Sequence, residues 1–330
     1  MDRCGTLVRM RRLLCCLLVL LGCGVVVAPA ASADSSILEV RPLGGRQFEV
    51  VVHSAAMNRP ITLWMSHPGP GAPALYLLNA VDGGESGGPW MRRTDVVDFF
   101  ADKPVNVIVP IGGRASMYTD WQRDDPVLGR NKWTTFLTNE LPPLLDDRFG
   151  MTGANGIAGL SMSATSALNL AIAAPGRYRA VGAFSGCTQT ANPLAQTLVR
   201  SQLATFGANA DNMWGGPGDP AWVANDPVLH ADRLRGTSVY LSSGTGAPGP
   251  HEALNDPSIA GNVGVLLDRI LVGGTMEAVV GSCSGPLVGR LGQLGIPADV
   301  RFRAAGTHAW PYWQDDVHDS WPMFAAALGV

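Results

Sequence analysis

Hydrophobic positions along the chain follow two rhythms. Short runs rich in β-branched residues occur at Phe48 to His53, Ile61 to Met65, Leu75 to Leu78, Val105 to Val109, Gly156 to Leu160, Ala180 to Phe184, Val239 to Ser242 and Val300 to Arg303. Between several of them lie stretches with helical period: Trp133 to Leu145, Ser163 to Ala174, Ile259 to Leu294 and Gln314 to Leu328, the third broken by Gly273-Gly274 and Gly285-Pro286. Apolar strands alternating with helices predict a largely parallel sheet covered on both faces, an α/β fold. The first two runs sit close together, and Asn58-Arg59-Pro60 between them reads as the turn of an antiparallel hairpin at the sheet edge. Thr188 to Asp232 reads as the longest irregular segment. It contains Met213-Trp214-Gly215-Gly216-Pro217 and Asp219-Pro220-Ala221-Trp222, and a strandless stretch of that length is expected to cap an active site.

The N-terminus breaks this pattern. Arg9, Arg11 and Arg12 precede an apolar run from Leu13 to Val27, and Ala31-Ser32-Ala33 follows before Asp34. That order is a secretory signal peptide over residues 1–33, leaving residues 34–330 as a single domain outside the cytoplasmic membrane. The run is short for a membrane span, so export is expected and stable membrane insertion is not. A competing reading is Leu20-Leu21-Gly22-Cys23, which resembles a lipoprotein cleavage box and would leave a lipid on Cys23, although Val25-Val26-Val27 beyond it argues against it. With 46% hydrophobic and 15% charged residues the chain is globular, not disordered. A formal net charge of -3, with no basic cluster beyond the leader, makes no case for nucleic acid or an anionic membrane surface.

Of six cysteines, only Cys187 and Cys283 lie beyond the leader. In an oxidising compartment an isolated pair reads as one disulfide, here joining the segment after the Ala180 to Phe184 strand to the helix containing Glu277. Neither has a second cysteine or a histidine at ligand spacing, so no zinc site is expected.

The candidate chemistry starts at Asn155-Gly156-Ile157-Ala158-Gly159-Leu160-Ser161-Met162-Ser163, an apolar run with a serine two residues past a glycine that leads into a helical pattern. In a strand-to-helix elbow such a serine stands clear of the sheet, and the N–H of the next residue, Met162, points toward a developing oxyanion. The pattern is G-x-S-x-S, with Ser163 where glycine is commonest. A serine hydroxyl needs a base, and the base an acid. In this architecture the acid and then the histidine follow the serine along the chain. His308, in Ala305-Gly306-Thr307-His308-Ala309-Trp310 directly after the last strand, is the expected base. His230, His251 and His318 are set aside, the last as a solvated helix residue. Glu277 is the leading acid because its apolar surroundings, Thr275-Met276-Glu277-Ala278-Val279-Val280, call for a partner to a buried charge; Asp256 and Asp268 compete. No cofactor is called for.

Taken together these residues resemble the antigen 85 mycolyltransferases. The likeness runs in order from roughly Val50 to Trp313: Leu75-Tyr76-Leu77-Leu78, Pro110-Ile111-Gly112-Gly113, Tyr118-Thr119-Asp120-Trp121, Lys132 to Leu137 with Glu140-Leu141-Pro142, the elbow, Ser166-Ala167-Leu168 and Pro175, Met213-Trp214-Gly215, Asp219 to Trp222, Asn225-Asp226-Pro227, and Gly306 to Trp313. The resemblance implies an α/β-hydrolase fold and a triad of Ser161, Glu277 and His308. It also implies an oxyanion hole from the Met162 N–H and one after the Leu75 to Leu78 strand, that of Val81. By the same resemblance the substrates are trehalose mycolates and cell-wall arabinogalactan, a mycolyl chain moving from one trehalose monomycolate to a second or to arabinan. Where mycobacterial members read Asp-Gly-Leu-Arg after that strand, this chain reads Asn79-Ala80-Val81-Asp82 and then Gly83-Gly84-Glu85. That version is similar to the corynebacterial-type branch, and it leaves Asn79, Asp82 and Trp310 as candidate acceptor contacts. A secreted carboxylesterase of the same fold and a non-enzymatic wall- or matrix-binding member are the rival readings.

Overall fold

The computed structural model describes residues 34–86 and 88–330. The leader read over residues 1–33, and with it the alternative lipid site at Cys23, lies outside the described residues. Among the described residues nine strands form one sheet: β1 (Ser36–Gly44), β2 (Gln47–Ser54), β3 (Arg59–Ser66), β4 (Ala74–Leu78), β5 (Asn106–Ile111), β6 (Asn155–Leu160), β7 (Tyr178–Phe184), β8 (Ser238–Ser243) and β9 (Ala298–Phe302), in the spatial order β1-β2-β3-β5-β4-β6-β7-β8-β9. From β5 to β9 every neighbouring pair is parallel, and β1, β2 and β3 add an antiparallel extension. This is an α/β-hydrolase sheet, with the eight strands read from the sequence all in place.

β1 was not legible from periodicity. It is an edge strand, mostly exposed, with register shifts at Ile37/Glu39 and Pro42/Gly44. An edge needs no continuous apolar face and can carry a proline that lacks a ladder donor. The β2–β3 hairpin therefore lies one strand inside the edge; its turn residue Asn58 has φ +50°, a value asparagine tolerates better than most side chains.

The central strands are buried on both faces, and their period of two sorts side chains into two cores. Tyr76, Leu78, Ile157 and Val181 face one side, against Leu168, Ala171 and Ile172 of the helix Met162–Ala173. Leu75, Leu77, Ala158, Leu160 and Phe184 face the other, against Trp313, Val317 and Phe324 of the helix Trp310–Leu328. Ten of the twelve residues of the first helix are buried, which explains why its sequence is made of small and apolar residues with no charged face instead of being amphipathic.

Two sequence expectations are corrected here. The segment Thr188 to Asp232 has no strand, but it is not irregular: it holds the helices Pro193–Thr205, Ala210–Trp214 and Pro220–Ala224 and a 3₁₀ turn Ala231–Leu234. Each of the three helices begins with a side-chain cap, Asn192, Asn209 or Asp219, and two have proline in the first turn, a start signal that polarity and glycines in the surrounding sequence obscure. Gly273-Gly274 is not a break either. A π-helical turn, Arg269–Gly273, runs into the helix Gly274–Ser282, and the interruption falls at Cys283-Ser284, before the helix Gly285–Leu294.

Candidate active site

Ser161 stands between the last residue of β6 and the first turn of the helix Met162–Ala173, with φ +53° and ψ −122°. A non-glycine residue in that region costs on the order of 1–3 kcal/mol, so its surroundings must impose it. They do so through backbone bonds: the Ser161 N–H donates to the Phe184 carbonyl at 2.9 Å, and the Ala164 N–H donates to the Ser161 carbonyl at 3.2 Å. Gly159 has no alternative, because a Cβ there would lie 2.1 Å from the Ser163 carbonyl oxygen. The second serine of the motif has its own task. Ser163 is fully buried; its Oγ accepts the Leu160 N–H at 2.9 Å and lies 3.2 Å from the Leu78 carbonyl. With glycine at 163 the Leu160 N–H would lose this acceptor, so the hydroxyl closes the elbow and ties the end of β6 to the end of β4.

His308 arrives on the turn after β9, its N–H donating to the Gly273 carbonyl at 3.0 Å and its ring edge-on to Trp313. His308 Nε2 is 2.8 Å from Ser161 Oγ, and His308 Nδ1 is 2.8 Å from Glu277 Oε2. Glu277 is fully buried near the start of the helix Gly274–Ser282. Its other oxygen, Oε1, accepts the Gly244 N–H at 2.6 Å, the Ser185 hydroxyl at 2.8 Å and the Ser243 hydroxyl at 3.2 Å. Burial pushes this carboxyl up, but the hydrogen bond and charge of His308, the Gly244 N–H and the Ser185 hydroxyl outweigh it and hold the group below its ordinary value. The result is an ionised acid, an imidazole with its Nδ1 side engaged, and an Nε2 free to face the serine hydroxyl. Such a relay can take the proton of an attacking alcohol and hand it to a leaving group.

Ser185, Ser243 and Gly244 were not singled out from the sequence. Their signal is positional: they follow β7 and end or follow β8, the two strands next to β6 on one side, at the carboxyl edge where sites in parallel sheets form.

Ser161 and His308 open on a cavity of about 390 Å³. Val81 and Met162 line it as well, and neither backbone N–H takes an acceptor among the described residues, whereas the Val81 carbonyl is held by Ala115 N–H at 2.7 Å. The far walls are mainly apolar: Leu198, Val199 and Phe206 come from and just beyond the helix Pro193–Thr205, and Met276, Val279 and Val280 from the helix that carries Glu277, with Gln202, Thr205 and Thr275 the polar residues on the same two elements. Cys187, also in the wall, is disulfide-bonded to Cys283, which staples the end of the Glu277 helix to the segment after β7.

The acceptor contacts expected from the sequence are not gathered here. Asn79 is fully buried and spent inside its own loop: its amide donates to the Pro110 carbonyl at 2.8 Å and its Oδ1 accepts the Trp90 N–H at 3.3 Å, so no ligand reaches it. An asparagine after β4 is better explained as the brace that lets this loop turn. Asp82 accepts the Gly84 N–H at 3.0 Å, and Trp310 packs edge-on against Trp90 and Trp313; neither lines the cavity. The rival carboxylates fall elsewhere: Asp256 Oδ2 is 3.0 Å from His251 Nδ1, and Asp268 is exposed. His318, expected on a solvated face, is half-buried, stacked on Phe99 and 2.9 Å from Asp95.

Comparison with known proteins agrees with this geometry. Residues 54–266 match the model of the Esterase family, described as "Putative esterase". The chain is 31% identical over 289 residues to the diacylglycerol acyltransferase/mycolyltransferase Ag85A of Mycobacterium leprae, covering 84% of this chain and 82% of the relative. It is 32% identical over 292 residues to the Ag85B protein of the same description from Mycobacterium avium, with the same coverage. Among solved structures, MPT51 of Mycobacterium tuberculosis superposes with a TM-score of 0.72 at 25% identity over 86% of this chain and all of that one. An S-formylglutathione hydrolase of Agrobacterium tumefaciens, with a TM-score of 0.62 at 13% identity over 89% of this chain and 99% of that one, shares the fold. The elbow, the relay and these likenesses converge on one conclusion: the chain is an acyl-transferring or ester-cleaving serine enzyme and belongs to the antigen 85 mycolyltransferase family of α/β-hydrolases.

Proposed function

We propose that the protein moves a mycolyl chain from trehalose monomycolate to a second trehalose monomycolate or to cell-wall arabinan, outside the cytoplasmic membrane, through an ester on Ser161. The observation that carries this reading is the relay from Glu277 through His308 to Ser161, opening directly on a cavity whose far walls are mainly apolar. His308 takes the Ser161 proton as the hydroxyl attacks the donor ester. The oxyanion forms against the Met162 and Val81 N–H groups, and His308 returns the proton to the departing sugar oxygen. A hydroxyl of the acceptor then attacks the acyl-serine, gives its proton to His308, and regenerates Ser161. The apolar wall built by Leu198, Val199, Phe206, Met276, Val279 and Val280 is the seat of the acyl chain. Trp310, half-buried two residues past His308, and Asp82, next to Val81, are the side chains we propose at the rim for the sugar.

Incubation of the purified protein with trehalose monomycolate tests this. Trehalose dimycolate should accumulate with the wild type and not with Ser161→Ala. Free mycolic acid without dimycolate would replace transfer by hydrolysis, the reading that the match to the esterase family model favours. Absence of both, with no labelling of Ser161 by a fluorophosphonate, would favour the non-enzymatic binding reading instead.

A further inference from the structure

The loop from β8 to Asn262 touches the relay at two points. Its first residue, Gly244, donates to Glu277 as described. Eight residues on, the Glu252 carboxylate reaches across to the segment that carries His308. Thr307 Oγ1 donates to Glu252 Oε1 at 2.8 Å, Tyr312 OH donates to Glu252 Oε2 at 2.6 Å, and the Gly249 N–H donates to the same Oε2 at 2.7 Å. Thr307 immediately precedes the imidazole in the chain, and Tyr312 stands in the first turn of the helix that follows it. Both are buried. One carboxylate thus grips the chain on either side of His308.

The surroundings show that this grip is built and specific. A Cβ at Gly249 would stand 2.4 Å from Tyr312 OH, so only glycine lets the loop backbone come close enough for its N–H and the phenol to share one oxygen. The neighbouring backbone is secured by other bonds: Gly246 N–H to Gly306 carbonyl at 2.9 Å, Gly306 N–H to Ala247 carbonyl at 2.7 Å, and Thr245 Oγ1 to Ala304 carbonyl at 2.9 Å. Arg269 holds the far side of the loop by donating to the His251 carbonyl at 3.0 Å. Residues 304–306 are therefore docked without Glu252. On the segment that carries His308, what the carboxylate adds falls on residues 307–312, the stretch that aims the imidazole.

We infer that Glu252 is a positioning residue that sets His308 against Ser161, an inference that rests on His308 being the base in the reaction proposed above. A carboxylate suits the task because it only accepts, and three donors converge on it. A glutamine could accept from two of them but would turn N–H groups toward the third, so it should serve in part. Small displacements of a reacting group are costly, about 10²-fold for a shift of 1 Å.

The test measures steady-state hydrolysis of a p-nitrophenyl ester by the wild type, Glu252→Ala, Glu252→Gln, Thr307→Val and Tyr312→Phe, each made also in a His308→Ala background, with thermal melts to confirm folding. Glu252→Ala should lower kcat roughly 10²-fold with KM little changed, and Glu252→Gln should recover part of that loss. In the His308→Ala background neither substitution should lower the residual rate further, since a residue that acts through the imidazole has nothing left to position. If Glu252→Ala does not fold, the single-donor variants Thr307→Val and Tyr312→Phe carry the test, with smaller kcat losses that again vanish without His308. Wild-type kcat in the folded variants, or an equal fold-loss with and without His308, overturns the inference. Wild-type rates in Ser161→Ala or His308→Ala would instead overturn the underlying reaction.

Discussion

The two halves of the sheet are built from similar residues and do different work. β4, β6, β7 and β8 are parallel, largely buried on both faces, and end at one carboxyl edge; Val81, Ser161, Ser185 and Gly244 all lie within three residues of those ends. β1, β2 and β3 are antiparallel, with β2 alternating between buried and half-exposed positions, and none of them supplies a residue to the relay or to the cavity around Ser161. Parallel strands joined by helices bring every carboxyl end to the same edge, whereas antiparallel strands send alternate ends away from it. Chemistry gathers on the first kind of strand, and the second contributes burial.

The largest effect that could break this contrast is at the elbow. Ser161→Ala should lower kcat roughly 10⁶-fold, while circular dichroism stays that of the wild type because the lost atom bears no part of the fold. A residual rate near that of the wild type would remove the parallel half from the chemistry. Next comes Glu277→Gln, which keeps the shape, but with Ser185, Ser243 and Gly244 holding its one oxygen it turns an amide NH2 toward His308 Nδ1; kcat should drop by on the order of 10⁴, as for the equivalent change in other serine triads. Across the sheet, Leu63→Ala in β3 deletes a fully buried side chain. Urea unfolding should show a loss of about 2–5 kcal/mol, and kcat at a temperature where the variant is folded should not move. If kcat fell with stability, the antiparallel strands would be doing more than supporting.

A smaller effect sharpens the picture in the loop after β8. His251 lies between Asp256 and Asp315, with its ring against Tyr312 and its carbonyl held by Arg269. Burial lowers its pKa, but the hydrogen bonds and charges of the two aspartates outweigh burial and raise it above the ordinary value. The folded state therefore binds the proton more tightly than the unfolded one. That contribution to stability is complete below the unfolded value near 6.5 and is lost as pH rises through the folded value. Melting temperature should thus decline as pH rises through the neutral range, and the slope should flatten in His251→Gln. Asp256 works in the opposite direction: burial opposes the Ser258 and His251 bonds that hold its pKa down, so its contribution is lost only as the solution turns acid. An identical slope in His251→Gln would place the pH response elsewhere.

Much of this was legible in the order of residues because burial on two faces demands it. Strands buried on both sides must be apolar without alternation, so β4, β6 and β7 announced themselves, and an apolar strand running into a glycine-serine elbow announced Ser161. Order along the chain then pointed to His308, since a base has to come from a loop at the same edge of the sheet. The edge strand β1 was silent because among the described residues nothing pairs with its outer side, and the helices between 193 and 224 were masked by the polar caps and glycines around them. Asn79 misled for a related reason: a polar residue beside the site looks like a ligand contact until the loop is seen to consume both ends of its amide.

The amino-acid sequence by itself determined the class of fold, the candidate nucleophile, and the short list of candidate acids and bases, because local patterning and chain order suffice for those. Only the tertiary structure decided the rest. The choice of Glu277 over Asp256 and Asp268, the three donors that hold its second oxygen, and the reach of Glu252 to both flanks of His308 depend on segments dozens of residues apart meeting at one edge. A carboxylate is an acid partner, a surface charge or a brace according to which donors surround it, and only folding brings those donors to it.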